Sequence, residues 1–204
     1  PFSLYNVSGE NTGDVLDTSS TDNYDTDPDS DTLTVTAIRT GSSEGSGTAG
    51  SVGSALTGTY GQLTIAANGS YTYVANQDAA DALDPGDVVT DSFNYTVSDG
   101  QGETDIAVLT ITVIGVNDTP VADNETGSVD ISSTLTVTDG TSDLLHGDTD
   151  ADASASLNIS SIVATTASGS ATAVNPGTAY NSGNTSVTGS YGTLRIGADG
   201  TYQY

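Results

Sequence analysis

The sequence predicts an all-β protein made of two tandem antiparallel β-sandwich modules, and three observations carry that reading. Apolar residues fall in short runs of period two, separated by Gly, Asn, Asp and Ser, as strands joined by turns do. A whole segment also repeats: "TGTYGQLTIAANGSYTY" (57–73) returns as "TGSYGTLRIGADGTYQY" (188–204). Tyr60, Gly61, Leu63, Ile65, Gly69, Tyr71 and Tyr73 meet Tyr191, Gly192, Leu194, Ile196, Gly200, Tyr202 and Tyr204 at one constant offset. Finally, "DTDPDSDTL" (25–33) precedes one alternating apolar segment, and "DTDAD" (148–152) precedes another, "SLNISSIV". The acidic runs are offset differently from the strand pairs, so loops change length while strands keep their residues.

The first module is expected over 1–118 and the second over 119–204. In the first, Leu33, Val35 and Ala37 share one face of a strand, and Leu63 and Ile65 one face of the next. Asn68-Gly69 reads as a hairpin turn with positive φ at both central positions. Tyr71 and Tyr73 follow on a common face. "DAADALD" (78–84) reads as a helical turn ended by Pro85-Gly86. Phe93, Tyr95 and Val97 then form a strand, and Leu109, Ile111 and Val113 the last. Leu63, Ile65, Leu109 and Ile111 should point inward from facing sheets. The second module has Leu135, Val137, Leu157, Ile159, Leu194 and Ile196 for an inward face, but no counterpart of Phe93 to Val97 or Ile106 to Val113. It is therefore expected to be C-terminally incomplete. Its missing strands are expected from a continuing array; the alternative is donation by a neighbouring subunit, with Phe2 and Leu4 as anchors.

Charge decides which partners are reasonable. The 204 residues include 27 acidic and 2 basic side chains, for a net charge of -25. Nucleic acid needs Lys and Arg for its phosphates, so it is excluded, and an anionic membrane surface is disfavoured likewise. Cations are the natural partners. There is no Cys, so no disulfide staples the modules. No apolar run approaches the roughly 20 residues of a membrane span. "PFSLYNVSGE" lacks the features of a signal peptide, so any export signal is expected outside this segment.

The acidic runs have the chemistry of calcium ligands. Ca²⁺ takes hard oxygen donors in flexible geometry, which alternating carboxylates on a loop supply. Asp25, Asp27 and Asp29 match the first ligand positions of an EF-hand loop, but Ser30 replaces its Gly and Thr36 its final Glu. A loop at the end of a sandwich, sharing its ion with another acidic segment, fits better. The candidate ligands are Asp25, Asp27, Asp29 and Asp31, then Asp148, Asp150 and Asp152. A second candidate site is the junction "GVNDTPVADN", with Asn117, Asp118 and Asp123, and with Asp99 and Asp105 bordering the turn before the last strand. The plainer reading makes these residues turn formers and solubilisers. Against it, two carboxylates about 4 Å apart repel by about 4 kcal/mol at an effective dielectric near 20. A domain is stable by only about 5–15 kcal/mol, so a divalent cation is expected to offset the repulsion.

Enzymatic chemistry finds little support. His146 is the only histidine and stands beside Leu144-Leu145, where a turn role suits it. Among so many Asp residues, a pair spaced for glycoside hydrolysis arises by chance. Glycan binding is the stronger rival, because the chain has 10 Tyr. Tyr71, Tyr73, Tyr202 and Tyr204, however, alternate as a packed strand face does; Tyr24 and Tyr180 are freer, and there is no Trp.

"YGQLTIAANGSYTYV", followed by "ADALDPGDVVTDSFNYTVSDGQGETDIAVLTITVIGVNDTPVA", resembles a VCBS or bacterial cadherin-like repeat. The ordered elements "NGSYTY", "SDGQGETD" and "GVNDTPVAD" carry the resemblance. Such repeats occur in tandem in large surface adhesins of Gram-negative bacteria. The resemblance implies an immunoglobulin-like (cadherin-like) β-sandwich, Ca²⁺ at the module ends, secretion, and cell-surface adhesion or biofilm formation. Two features depart from it: Ser30 and Ala153 stand where related loops carry Gly, and "TSSTDN" is inserted after Leu16. The resulting expectation is a non-enzymatic, calcium-stabilised extender module of an extracellular adhesin or surface fibre. Its expected partners are Ca²⁺ and neighbouring modules of the same chain. A glycan- or cell-binding module and a strand-donating filament subunit remain as alternatives, with glycan or other copies in a fibre as their partners.

Overall fold

A computed structural model describes residues 10–16, 25–138, 140–164, 170–183 and 185–204. Phe2, Leu4, Tyr24 and the inserted "TSSTDN" lie outside the described residues. The chain divides into two compact units, Pro1–Asp118 and Thr119–Tyr204.

Unit 1 contains β1 (Glu10–Asp14), β2 (Thr34–Thr40), β3 (Ala49–Gly50), β4 (Leu56–Thr57), β5 (Gln62–Ile65), β6 (Ser70–Val74), α1 (Asp78–Asp81), β7 (Val88–Ser98) and β8 (Thr104–Ile114). These make two antiparallel sheets of order β1-β6-β5-β4 and β3-β2-β7-β8. Alternation puts every second residue of a strand inside. Leu63, Ile65, Tyr71 and Tyr73 from one sheet are buried with Phe93, Tyr95, Leu109 and Ile111 from the other in a single core. Tyr73 meets Phe93 edge-on, with ring centroids 6.2 Å apart, the arrangement that aromatic quadrupoles favour.

Two local expectations are corrected. Leu33, Val35 and Ala37 do not continue as one inward face, because the β2–β7 register shifts between Val35 and Ala37. A bulge inserts one residue and reverses the alternation beyond it, so Ile38 is buried while Ala37 is only half-buried. At the β5–β6 turn only Gly69 takes positive φ, at 90°; Asn68 does not. The Gly69 amide closes the turn on the Ala66 carbonyl at 3.0 Å, leaving glycine alone in the left-handed region. The helical turn at 78–84 is real but short, spanning Asp78–Asp81.

Unit 2 contains β9 (Thr136–Val137), β10 (Ser161–Ile162), β11 (Thr172–Ala173), β12 (Thr185–Thr188), β13 (Thr193–Ile196) and β14 (Tyr202–Gln203). The sheet β12-β13-β14-β9 repeats the order β4-β5-β6-β1, and the pair β10-β11 repeats β2-β3. The equivalence reaches single hydrogen bonds. Val35 donates to the Ala67 carbonyl at 2.9 Å, and Ile159 donates to the Ala198 carbonyl at 2.9 Å. Among the described residues of unit 2 nothing corresponds to β7 or β8. Its core is accordingly small: Val174, Ile196, Ala198 and Tyr202 are buried, while Leu135, Val137, Ile159 and Leu194 are only partly so.

Candidate metal centre

The first acidic run forms a self-bonded loop ahead of β2. One oxygen of Asp27 accepts the amides of Asp29 at 2.8 Å and Asp31 at 3.1 Å. Such local side-chain bonds are the reason Asp favours turns. The loop puts Ser30 at φ 65°, in the left-handed region, which the missing glycine would have occupied more easily. Asp25 and Asp27 line a pocket of about 390 Å³ with Asp99, Glu103 and Asp105, and none of its lining residues is basic. Asp25 is half-buried, and its carboxylate lies 3.5 Å from the Tyr95 hydroxyl. Desolvation holds its pKa above the ordinary aspartate value; the Tyr95 hydrogen bond opposes this, and the Asp105 charge adds to it. Burial, and then the Asp25 carboxylate, in turn push the Tyr95 phenol up.

Across the pocket, the turn between β7 and β8 is organised by Asp99. One of its oxygens accepts the amides of Gln101, Gly102 and Glu103, at 2.7, 3.1 and 3.2 Å. The Gln101 bond leads in holding the Asp99 pKa below the ordinary value. Asp105 accepts the Ile106 amide at 2.9 Å.

In unit 2 the same loop device recurs, with Asp150 accepting the Asp152 amide at 3.0 Å. Asp152 is buried. An antiparallel bridge joins Val121 to Thr149, which brings the start of the unit against the acidic run. The Asp123 amide then donates to Asp148 at 2.9 Å. Asp123, Glu125 and Asp148 thus converge, with one carboxylate oxygen of each within 4.8 Å of the others. Among the described residues this is the one acidic trio so close; the unit 1 carboxylates are spread more widely. Oε1 of Glu125 is buried without a hydrogen-bond partner. The Glu125 pKa is raised, first by its hydrogen bond with Asp123, then by desolvation and by the Asp123 and Asp148 charges.

The expected ligands therefore separate by setting. Asp25, Asp27, Asp99 and Asp105 share the unit 1 pocket, while Asp29 is exposed and Asp31 lies half-buried outside the pocket lining. Asp123 and Asp148 come together. Asn117 is exposed and donates to the Asp118 carbonyl. Sequence reasoning missed Glu103 and Glu125. Glu125 was within reach of it, since it stands two residues beyond Asp123 and so on the same side of an extended segment. Both settings suit a hard divalent cation: the donors are carboxylate oxygens, one of them an orphaned buried atom, and the unit 1 pocket has no basic residue in its lining.

A model of the bacterial cadherin-like domain family matches residues 5–115, more than half of the chain. The chain belongs to the bacterial cadherin-like domain family. Family members are structural, non-enzymatic modules that commonly bind Ca²⁺, in keeping with the sandwich and the acidic trio. No curated protein matches the cadherin-like chain. Among the described residues, no helix is long and apolar enough to cross a membrane.

Proposed function

We propose that this cadherin-like protein is a calcium-stabilised structural extender of an extracellular adhesin or surface fibre, of the VCBS kind, serving cell adhesion or biofilm formation. The convergence of Asp123, Glu125 and Asp148 around an orphaned carboxylate oxygen carries the reading. Three carboxylates with no basic side chain among them stay together only if protons or a cation neutralise them. At neutral pH a cation is the effective neutraliser, and these three residues would hold it; in unit 1 the donors would come from the more widely spread carboxylates of the acidic pocket, Asp25, Asp27 and Asp105 among them. A bound Ca²⁺ would supply charge neutralisation and stiffening, not catalysis. Tyr71, Tyr73 and Tyr202 are consumed by the cores, which removes them as a sugar-binding platform.

The test is a melting curve in chelator against one in about 10 mM Ca²⁺. Extracellular calcium modules bind at about 10⁻⁴–10⁻³ M, so native-state binding should raise Tm by about 5–10 °C. Glu125→Gln with Asp148→Asn should remove the unit 2 part of the shift. Curves that superimpose with and without Ca²⁺ would end the proposal.

A further inference from the structure

We propose that unit 1 carries a binding cleft for a neutral sugar, a pyranose held through its hydroxyl groups, at the ends of β2 and β7 farthest from the acidic pocket. The inference depends neither on calcium nor on the extender role.

The cleft, of about 500 Å³, lies where β2 ends, at Thr40, and near the start of β7, at Thr90, Asp91 and Ser92. The acidic pocket adjoins Leu33, just before β2, and Val97, near the end of β7. The two strands pair antiparallel, so the sites sit at opposite ends of the same strands. One wall of the cleft is the loop after β2 and the other the segment at Gly58 and Thr59. Each is fixed by a buried polar side chain of β7. Asp91 accepts the amides of Thr59 at 3.1 Å and Tyr60 at 3.0 Å, and the Tyr73 hydroxyl at 2.9 Å. Gly58 lets the chain approach this closely, since a Cβ there would stand 2.4 Å from the Asp91 carboxylate. Asn94 donates to the Gly41 carbonyl at 3.0 Å and the Ser46 carbonyl at 3.1 Å, and accepts the Gly45 amide at 3.1 Å. The Gly41 amide donates in turn to the Ser92 carbonyl at 2.7 Å. Buried polar side chains are tolerated when fully bonded, and both of these direct their bonds to the walls of one cleft. The cleft is therefore formed before any ligand arrives, which lowers the ordering cost of binding.

The lining selects the ligand. It consists of Thr, Ser, Gly and Asp91, with no basic, aromatic or apolar side chain. An anion finds no positive charge there, and an apolar molecule no surface to cover. A calcium ion would meet a single carboxylate that already accepts three protein donors. Hydroxyl groups remain. On β2, Thr34 and Thr36 turn their hydroxyls onto the Ser98 and Thr96 carbonyls. In the cleft, the hydroxyls of Ser42, Thr48, Thr59, Thr90 and Ser92 have no protein partner among the described residues. Each can donate and accept, as every hydroxyl of a sugar can. Asp91 Oδ1 accepts only the Thr59 amide, so it retains an acceptor position for a ligand O–H.

The experiment follows backbone amide shifts of the full chain by NMR, in chelator, as glucose, galactose, mannose or N-acetylglucosamine is added to about 100 mM. At least one of the four should give saturable shifts at residues 40–42, 57–59 and 90–92, with a Kd of about 1–10 mM, as suits a small ligand held by hydrogen bonds alone. Thr59→Val with Thr90→Val removes two exposed hydroxyls while keeping side-chain shape, and should weaken binding by about tenfold or more. Glucuronate should bind at least about tenfold more weakly than glucose, because its carboxylate meets only negative charge. Four sugars without saturable shifts overturn the inference, as do equal shifts with glycerol or saturable shifts confined to other residues. Unchanged affinity in the double variant, with its remaining spectrum intact, overturns it too, and glucuronate binding as well as glucose overturns the neutral class. Chelator is present throughout, so the outcome is independent of the calcium test.

Discussion

Ser30 and Asp25 show how much stress one residue can carry in this chain. Ser30 sits at φ 65°, where an L-residue pays about 1–2 kcal/mol. Ser30→Gly relieves that strain but adds unfolded-state entropy worth about 0.5–1 kcal/mol. The net expectation is a stabilisation of up to about 1 kcal/mol, read from urea unfolding; a destabilised variant would show that the Ser30 side chain matters to the loop. Asp25 is stressed by charge. Its folded pKa is raised by desolvation, so just above the ordinary value of 3.8 the folded chain holds a proton that the unfolded chain has released. Its contribution to stability is thus lost as pH rises through the folded pKa. Asp25→Asn mimics the protonated form, so in chelator at pH 7 it should raise Tm by a few degrees, about 2–4 °C for each kcal/mol. With saturating Ca²⁺ it should lower Tm instead. The same sign in both buffers would remove Asp25 from the calcium site.

Among the elements, β7 does the most to join the parts of unit 1. It pairs with β2 and β8, supplies Phe93 and Tyr95 to the core, and pins the Thr59-Tyr60 turn through Asp91. The Asp91 bond, and burial before it, push the Tyr73 phenol well up, so its proton stays in place as donor. Asp91→Ala leaves three donors unanswered at about 1–3 kcal/mol each, and should cost about 3 kcal/mol or more. Tyr73→Phe removes one donor and should cost about 1 kcal/mol. Chemical unfolding of both variants checks the order, and equal losses would mean that Asp91 acts through packing alone. Strand alternation made Phe93 and Tyr95 legible as core residues beforehand. The inward Asp91 was not, because period two marks the side a residue faces without naming the donors waiting there. The bulge between Val35 and Ala37 escaped for a related reason: an extra residue changes the register without changing the apolar character of the run.

At the scale of the whole molecule, the two units are unequal. The unit 1 core includes Phe93, Leu63, Ile65 and Ile111, whereas only Val174, Ile196, Ala198 and Tyr202 are buried in unit 2. Buried apolar area sets most of a unit's stability, so calorimetry in chelator should resolve two transitions, with unit 2 melting first. A single cooperative transition would contradict that independence. The sequence by itself determined the all-β class, the strand positions, the repeat and the acidic character of both loops, because these rest on periodicity, turn residues and charge that neighbours along the chain already express. Only the tertiary structure decided which carboxylates meet. Asp123 reaches Asp148 through the Val121–Thr149 bridge, and Glu103 joins Asp25 through the β7–β8 turn. Each of these pairs is separated by a long stretch of chain, and only pairing between distant strands brings their oxygens together.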